Sequence, residues 1–166
     1  MDQISYQLTN WKTNSFVLPL KLAINQSFAE GKFPDLLKIT KVCPVFKKGE
    51  KNLRENYRPI SLLANLSKIF EHAMHTRLYA FLEDFDAFYD LQYGFRNKNS
   101  TDHAFWSIVK EIREYLDSWK FSCGVFVDLE KAFDTVNHKN LLARLDHYGV
   151  RSLANDWFRS YLSNRK

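Results

Sequence analysis

The segment from Phe121 to Asn137, FSCGVFVDLEKAFDTVN, constrains the fold of this chain more than any other. Val125, Phe126 and Val127 form an apolar run that ends in Asp128, and a helix-like stretch carrying Phe133 and Asp134 follows at once. An unbroken apolar run marks a strand covered on both faces, and such a strand needs neighbours on both sides. The chain offers few other strand candidates, so the expectation is part of a larger fold. A carboxylate at the tip of a buried strand suits a metal held against a phosphate, which makes Asp128 the first candidate for nucleotide chemistry.

Composition narrows the class. At 166 residues, 45% of them hydrophobic, the chain is long enough for one domain with a core and too apolar for disorder. No run approaches the roughly 18 apolar residues of a membrane span. MDQISYQLTNWK lacks the charged-then-apolar plan of a signal peptide. Cys43 and Cys123 fit no metal or redox spacing, which favours two buried thiols in a reducing compartment. The net charge of +5 is unevenly placed. Lys32, Lys38, Lys41, Lys47, Lys48, Lys51, Arg54 and Arg58 are opposed within their segment only by Asp35, Glu50 and Glu55, and the remainder of the chain is balanced. Such a patch suits nucleic acid, a triphosphate or an acidic surface, with a solvated loop as the plain alternative.

Periodicity predicts mostly helix. Phe16, Leu20, Ile24 and Phe28 recur every four residues, with Pro19 near the start and Gly31 as the stop. Ile39 to Phe46 is rich in β-formers, and Pro44 limits it to an edge strand. Lys47 to Lys51 reads as a turn or loop. Further helices are expected over Ser67–Leu82 (Phe70, Met74, Leu78 and Phe81 on one face) and over Asp102–Leu116 (Phe105, Ile108, Ile112 and Tyr115), the second capped by Ser100, Thr101 or Asp102. Lys139–Tyr148, stopped by Gly149, and Ser152–Leu162 complete the set. The one interior strand is expected at Phe121–Val127.

Several residues are set aside. Glu83, Asp84, Asp86 and Asp90 lack the glycine and spacing of a calcium loop and read as a solvated connector. His72 and His75 have no third ligand and read as surface residues. Trp11, Trp106, Trp119 and Trp157 read as core anchors rather than base-stacking platforms. Glu130 and Lys131 are expected to face solvent, with an approach to the nucleotide as the alternative. By spacing alone Asp134 is a helix cap or ion-pair partner rather than a second metal ligand.

The string from Val127 to Val136, VDLEKAFDTV, resembles the first catalytic motif of reverse transcriptases, in particular those of non-LTR retrotransposons of the jockey or LINE type. Other strings follow in that family's order. PVFKKGE (44–50) and NYRPISLL (56–63) resemble its fingers, and SKIFE (67–71), QYGFR (92–96), STDHA (100–104) and SYLSNRK (160–166) follow. The resemblance runs from about Gly31 to Lys166.

It implies an α+β fold, helix-rich with a few strands: a partial right-hand polymerase comprising fingers plus the start of the palm. Residues 1–30 would be a helical lead-in, 31–120 fingers-like, and 121–166 partial palm with the first catalytic motif. The activity implied is RNA-directed DNA polymerisation, nucleotidyl transfer by two metal ions. Asp128 would be the catalytic metal ligand, and the Leu129 carbonyl would help hold an ion, Mg2+ or Mn2+. Phe133 would crowd the sugar 2′ position, with a core phenylalanine as the alternative. Asp134 would be structural. Lys47 and Arg58 would grip the incoming triphosphate. Lys48, Lys51 and Arg54 would contact nucleic acid or merely be solvated, Arg96 would contact a template phosphate, and Gly94 would allow a tight turn.

The implied partners are an RNA template, a DNA primer and deoxynucleoside triphosphates, with no membrane, in an intracellular and nuclear setting. The paired-aspartate motif and the thumb are absent from the sequence, so the expectation is a fragment of a longer parent, inactive alone. The rival readings are a catalytically dead nucleic-acid-binding module and a non-functional mobile-element remnant.

Overall fold

The computed structural model describes residues 13–129 and 131–165. In chain order the elements are α1 (Thr13–Glu30), β1 (Lys41–Phe46), β2 (Tyr57–Leu62), α2 (Asn65–Asp84), α3 (Thr101–Asp117), α4 (His138–His147) and α5 (Ser152–Leu162), with short 3-10 turns at Asp35–Lys38 and Arg54–Asn56. They fall into two compact units. One holds the chain up to Tyr79 and from Asn137 onward, and the other holds Ala80–Val136.

The first unit is organised by how its helices end. Gly31 takes φ +62°, its N–H donates to the Phe28 carbonyl, and the Lys32 N–H reaches the Ser27 carbonyl. This left-handed stop turns the chain so that Phe33 enters the core. A Cβ at Gly31 would lie 2.9 Å from the Leu153 carbonyl oxygen, so glycine also allows α1 to end against α5. Gly149 ends α4 in the same way, and Val150 beyond it is buried.

Phe33, Phe70, Met74 and Trp157 form the core, flanked by Leu20, Ile24, Phe28, Leu37, Phe158 and Tyr161. Phe33 meets Phe70, Trp157 and Tyr161 edge to face, and Trp157 stacks on Tyr161 one helical turn away. Each such pair adds about 1 kcal/mol beyond the area it buries. The polar groups inside are satisfied: Trp157 Nε1 donates to Ser27 Oγ at 2.9 Å, and the Phe33 N–H donates to Ser160 Oγ at 3.1 Å. Lys38, counted in the basic patch, is buried and structural, with its Nζ 2.8 Å from Asp35.

β1 and β2 form a two-stranded antiparallel ribbon in which Pro44 lies opposite Pro59 and Val45 opposite Arg58. The Lys47 N–H donates to the Asn56 carbonyl at 2.8 Å, which makes 47/56 a hydrogen-bonded pair. Bonded and non-bonded pairs alternate, so Pro44 and Pro59 share a non-bonded pair where no inward N–H is needed. β1 is thus the edge strand that Pro44 demands. β2 escaped the sequence reading because Pro59 interrupts its β-forming run.

The helices expected from periodicity are present, and Ser100 is the cap of α3, accepting from the His103 N–H. α1 begins six residues before Pro19, so that proline lies inside the helix and removes a bond to Ser15 rather than sitting in the first turn.

The second unit departs further from expectation. None of its described residues is buried. The apolar face of α3 (Phe105, Ile108, Ile112, Tyr115) is exposed. The strand expected at Phe121–Val127 does not form: residues 120–129 carry no regular structure, and Phe126 is 87% exposed. The physical reason is pairing. β1 and β2 bond to each other, and no further strand exists among the described residues to complete a ladder.

The same lack of cover corrects two other readings. Trp106 and Trp119 are exposed, Trp119 at 96%, whereas Trp157 is a core anchor at 1%. Cys43 is half-buried and Cys123 exposed, so neither is a buried thiol. Trp11 and Glu130 lie outside the described residues.

Candidate functional site

The basic segment folds into the β1–β2 hairpin and its tip. Strand alternation puts Arg58 and Val45 on one face, and Lys47, two residues beyond Val45, continues on that face. Lys47 and Arg58 are therefore diagonal neighbours across the ribbon, a spacing of about 7–8 Å between backbones. Among the described residues Lys47, Lys48, Lys51, Arg54 and Arg58 form no ion pair. All five are exposed, so their charge can meet a phosphate from solvent.

The tip is built to hold its shape. Gly49 takes φ +93°, and Asn56 occupies the space a side chain there would need, its Nδ2 donating to the Glu50 carbonyl at 2.8 Å. Gly49→Ala would put Cβ 2.7 Å from that nitrogen in a backbone region hostile to alanine. The expected result is about 1–2 kcal/mol of local destabilisation, checked by faster hydrogen exchange at the Lys47 amide with α5 unchanged.

The opposite face of the ribbon carries Pro44, Pro59, Phe46 and Tyr57. Tyr57 packs edge to face on Phe46 at 5.5 Å, and its hydroxyl donates to the Lys51 carbonyl at 2.9 Å. Pro44, Lys51, Asn52, Arg54, Tyr57 and Pro59 line a cavity of about 430 Å³. Sequence reasoning singled out the cations but missed Tyr57 and the prolines. The signal was their alternation, masked by the absence of an aliphatic pattern.

The second unit holds the other candidates. Asp128 is exposed, with Leu129 beside it. A turn follows in which the Asp134 N–H donates to the Lys131 carbonyl at 2.9 Å and Thr135 Oγ1 to the Ala132 carbonyl. Lys131 itself sits at φ +51° and is exposed. The Phe133 ring meets Phe95 edge to face at 5.9 Å, which joins the 127–136 string to the 92–96 string. Arg96 stacks over Phe88 at 4.6 Å, and its buried Nε has no hydrogen-bond partner. Gly94 lies in open space, and the left-handed residue of that turn is Phe95 at φ +59°, so glycine is not required there.

Magnesium takes six oxygens in near-octahedral geometry, from one or two carboxylates, waters and substrate phosphates. Among the described residues no group of three or more His, Cys, Asp or Glu side chains converges. Asp128 and the Leu129 carbonyl, the donors the sequence points to, do not make up a metal site by themselves.

Two further strings, SKIFE and SYLSNRK, meet in the first unit. Glu71 Oε1 accepts from Ser67 Oγ, from the Tyr161 hydroxyl at 3.1 Å and from Arg165 Nη2 at 3.0 Å. Arg165 also covers the Tyr161 ring at 3.9 Å. The SKIFE string and the described part of SYLSNRK, 160–165, are therefore two sides of one half-buried contact. Their role is to hold α2 and the end of α5 together.

A basic hairpin whose cations form no ion pair among the described residues, with an aromatic face beside it, is compatible with a phosphate-bearing partner. The model of the reverse transcriptase (RNA-dependent DNA polymerase) family matches residues 45–166, and the chain belongs to that family. It is 31% identical over 90% of its length to a probable RNA-directed DNA polymerase from transposon BS of Drosophila melanogaster. It is 32% identical over 74% to the RNA-directed DNA polymerase from mobile element jockey of the same species, and 31% over 85% to the Pol polyprotein of retrotransposable element R1 of Bradysia coprophila. The chain spans 17%, 14% and 14% of those relatives' lengths. No solved structure matches it. The family works with nucleic acid, nucleotides and divalent metal ions. No helix among the described residues is long and apolar enough to cross a membrane.

Proposed function

We propose that this chain supplies the fingers and the first palm motif of an RNA-directed DNA polymerase of a non-LTR retrotransposon. Residues 31–120 act as fingers and 121–166 as the opening of the palm in a right-hand polymerase, behind a lead-in at 1–30 whose described part, Thr13–Glu30, is helical. The observation that carries the reading is the shared face of Lys47 and Arg58 on the hairpin, where neither forms an ion pair among the described residues. Arg58 offers a planar fork to a phosphate and Lys47 a point charge, which together suit the triphosphate of an incoming deoxynucleotide. Phe133 crowds the sugar, Arg96 contacts the template backbone, and Lys48, Lys51 and Arg54 lie along nucleic acid. The partners are an RNA template, a DNA primer and deoxynucleoside triphosphates.

Asp128 and the Leu129 carbonyl are the chain's donors toward a divalent ion, magnesium by preference. An ion held there would neutralise triphosphate charge. With the described donors alone, the 166-residue chain is expected not to extend a primer.

Two measurements test this. Lys47→Ala and Arg58→Ala are each expected to weaken binding of a fluorescent deoxynucleoside triphosphate by about tenfold. Unchanged affinity in both would sink the triphosphate grip. Primer extension on an RNA template with magnesium is expected to give no product, and sustained incorporation abolished by Asp128→Ala would show instead that the chain is a complete catalyst.

A further inference from the structure

We infer that the proline face of the hairpin seats one unpaired base of a single-stranded polynucleotide, with the base against Tyr57 and its flanking phosphates on Lys51 and Arg54. Strand alternation sets this face opposite to Lys47 and Arg58, so it is a separate site from the triphosphate grip. The inference rests on the hairpin being a polynucleotide-handling element, and it does not depend on polymerase chemistry.

The cavity of about 430 Å³ lies within the range of pockets that take a small planar ligand. Its apolar surface consists of Pro44, Pro59 and the Tyr57 ring, rigid groups that lose little freedom when covered. The ring is fixed before any ligand arrives, by Phe46 on one side and by its hydroxyl bond to the Lys51 carbonyl. The polar part comprises Lys51, Asn52 and Arg54. Both cations lack an ion pair among the described residues, and Asn52 can donate and accept. An aromatic platform bordered by cations with no ion pair among the described residues matches a base with phosphates on either side. A duplex keeps its π-faces stacked inside and would offer this pocket only its backbone. An acidic peptide would answer the charges but leave the platform unused.

Fluorescence anisotropy on the full chain separates these ligands. The probes are a short labelled oligothymidylate and the matching abasic phosphodiester chain. Tyr57→Leu is expected to weaken oligothymidylate binding by about tenfold and to leave abasic binding unchanged. Arg54→Ala is expected to weaken both and to lower the salt slope by about one. Equal loss on both probes with Tyr57→Leu would mean a charge effect only. No loss with either variant would point to a protein ligand. Either result overturns the inference.

Because Tyr57 also braces the hairpin, a second measurement uses the unaltered chain. Ultraviolet crosslinking to an oligonucleotide carrying 5-iodouracil is expected to modify Tyr57, read by mass spectrometry, and to persist with excess free deoxynucleoside triphosphate. Crosslinks that map elsewhere overturn the proposal. A persistent Tyr57 crosslink in a chain whose triphosphate binding ignores both Lys47→Ala and Arg58→Ala would defeat the grip and leave this site standing.

Discussion

Replacing Trp157 by alanine is expected to cost about 3–5 kcal/mol, a large part of the roughly 5–15 kcal/mol that holds a domain of this size. Trp157 is 1% exposed and touches Phe28, Phe33, Phe158 and Tyr161 through its ring faces and edges. Removing it leaves a cavity at the junction of α1 and α5. It also takes the Nε1 donor from Ser27 Oγ, although that hydroxyl keeps its bond to the Lys32 carbonyl. Trp157→Phe should lose less, because a ring remains and only the hydrogen bond and part of the volume go. Urea denaturation followed by far-ultraviolet circular dichroism measures both. Because no described residue from 80 to 136 is buried, the slowest-exchanging amides should lie in α1, α2 and α5, and the alanine variant should lose their protection.

The second large effect is expected at Glu71. One carboxylate oxygen serves Ser67, Tyr161 and Arg165, and the Glu71 and Arg165 side chains are only 22% and 28% exposed. Glu71→Ala leaves the phenol and the Arg165 Nη2 without their acceptor in a half-buried place, although Arg165 Nε keeps its bond to the Tyr161 carbonyl. A fully buried broken pair costs about 3–5 kcal/mol, and partial solvent access reduces the figure here to about 2 kcal/mol. Glu71→Gln keeps an acceptor and should cost less. Pairing Glu71→Ala with Arg165→Met in a double-mutant cycle should recover part of the loss, since the uncompensated charge is then gone.

The same cluster gives the chain an alkaline limit. Burial pushes the Tyr161 phenol above its ordinary range; the Arg165 charge opposes that shift and Glu71 adds to it. The folded state therefore holds the proton more tightly than the unfolded state. This contribution to stability is complete below the unfolded phenol value of about 10 and is lost as pH rises through the folded value. Tyr161→Phe should flatten the fall in stability above that point.

Local chemistry was legible in the sequence and cover was not. α5 runs from Ser152 to Leu162 as periodicity predicts, and Gly31, Gly149 and Ser100 do what their residue types announce. Phe70 and Met74 bury the face assigned to them. The segment Phe121–Val127 has the composition of an interior strand, but a strand exists only with a partner, and composition says nothing about whether one is present. Trp106, Trp119 and Cys123 failed for the same reason. In the candidate site, the cations could be named from charge alone. The pairing register that sorts them onto two faces could not, because Pro59 hid the second strand of the pair.

Those two prolines have a consequence for association. A free ribbon has two open edges, and each invites a strand from another molecule. Groups in a non-bonded pair point outward, so Pro44 removes a donor from one margin and Pro59 from the other. An incoming strand would meet an interruption at the middle of either side. A hairpin protected in this way can stand away from its scaffold, with its apolar residues uncovered, without seeding cross-β stacking. Replacing both prolines by valine should leave the fold in place and turn the hairpin into the point from which the chain aggregates.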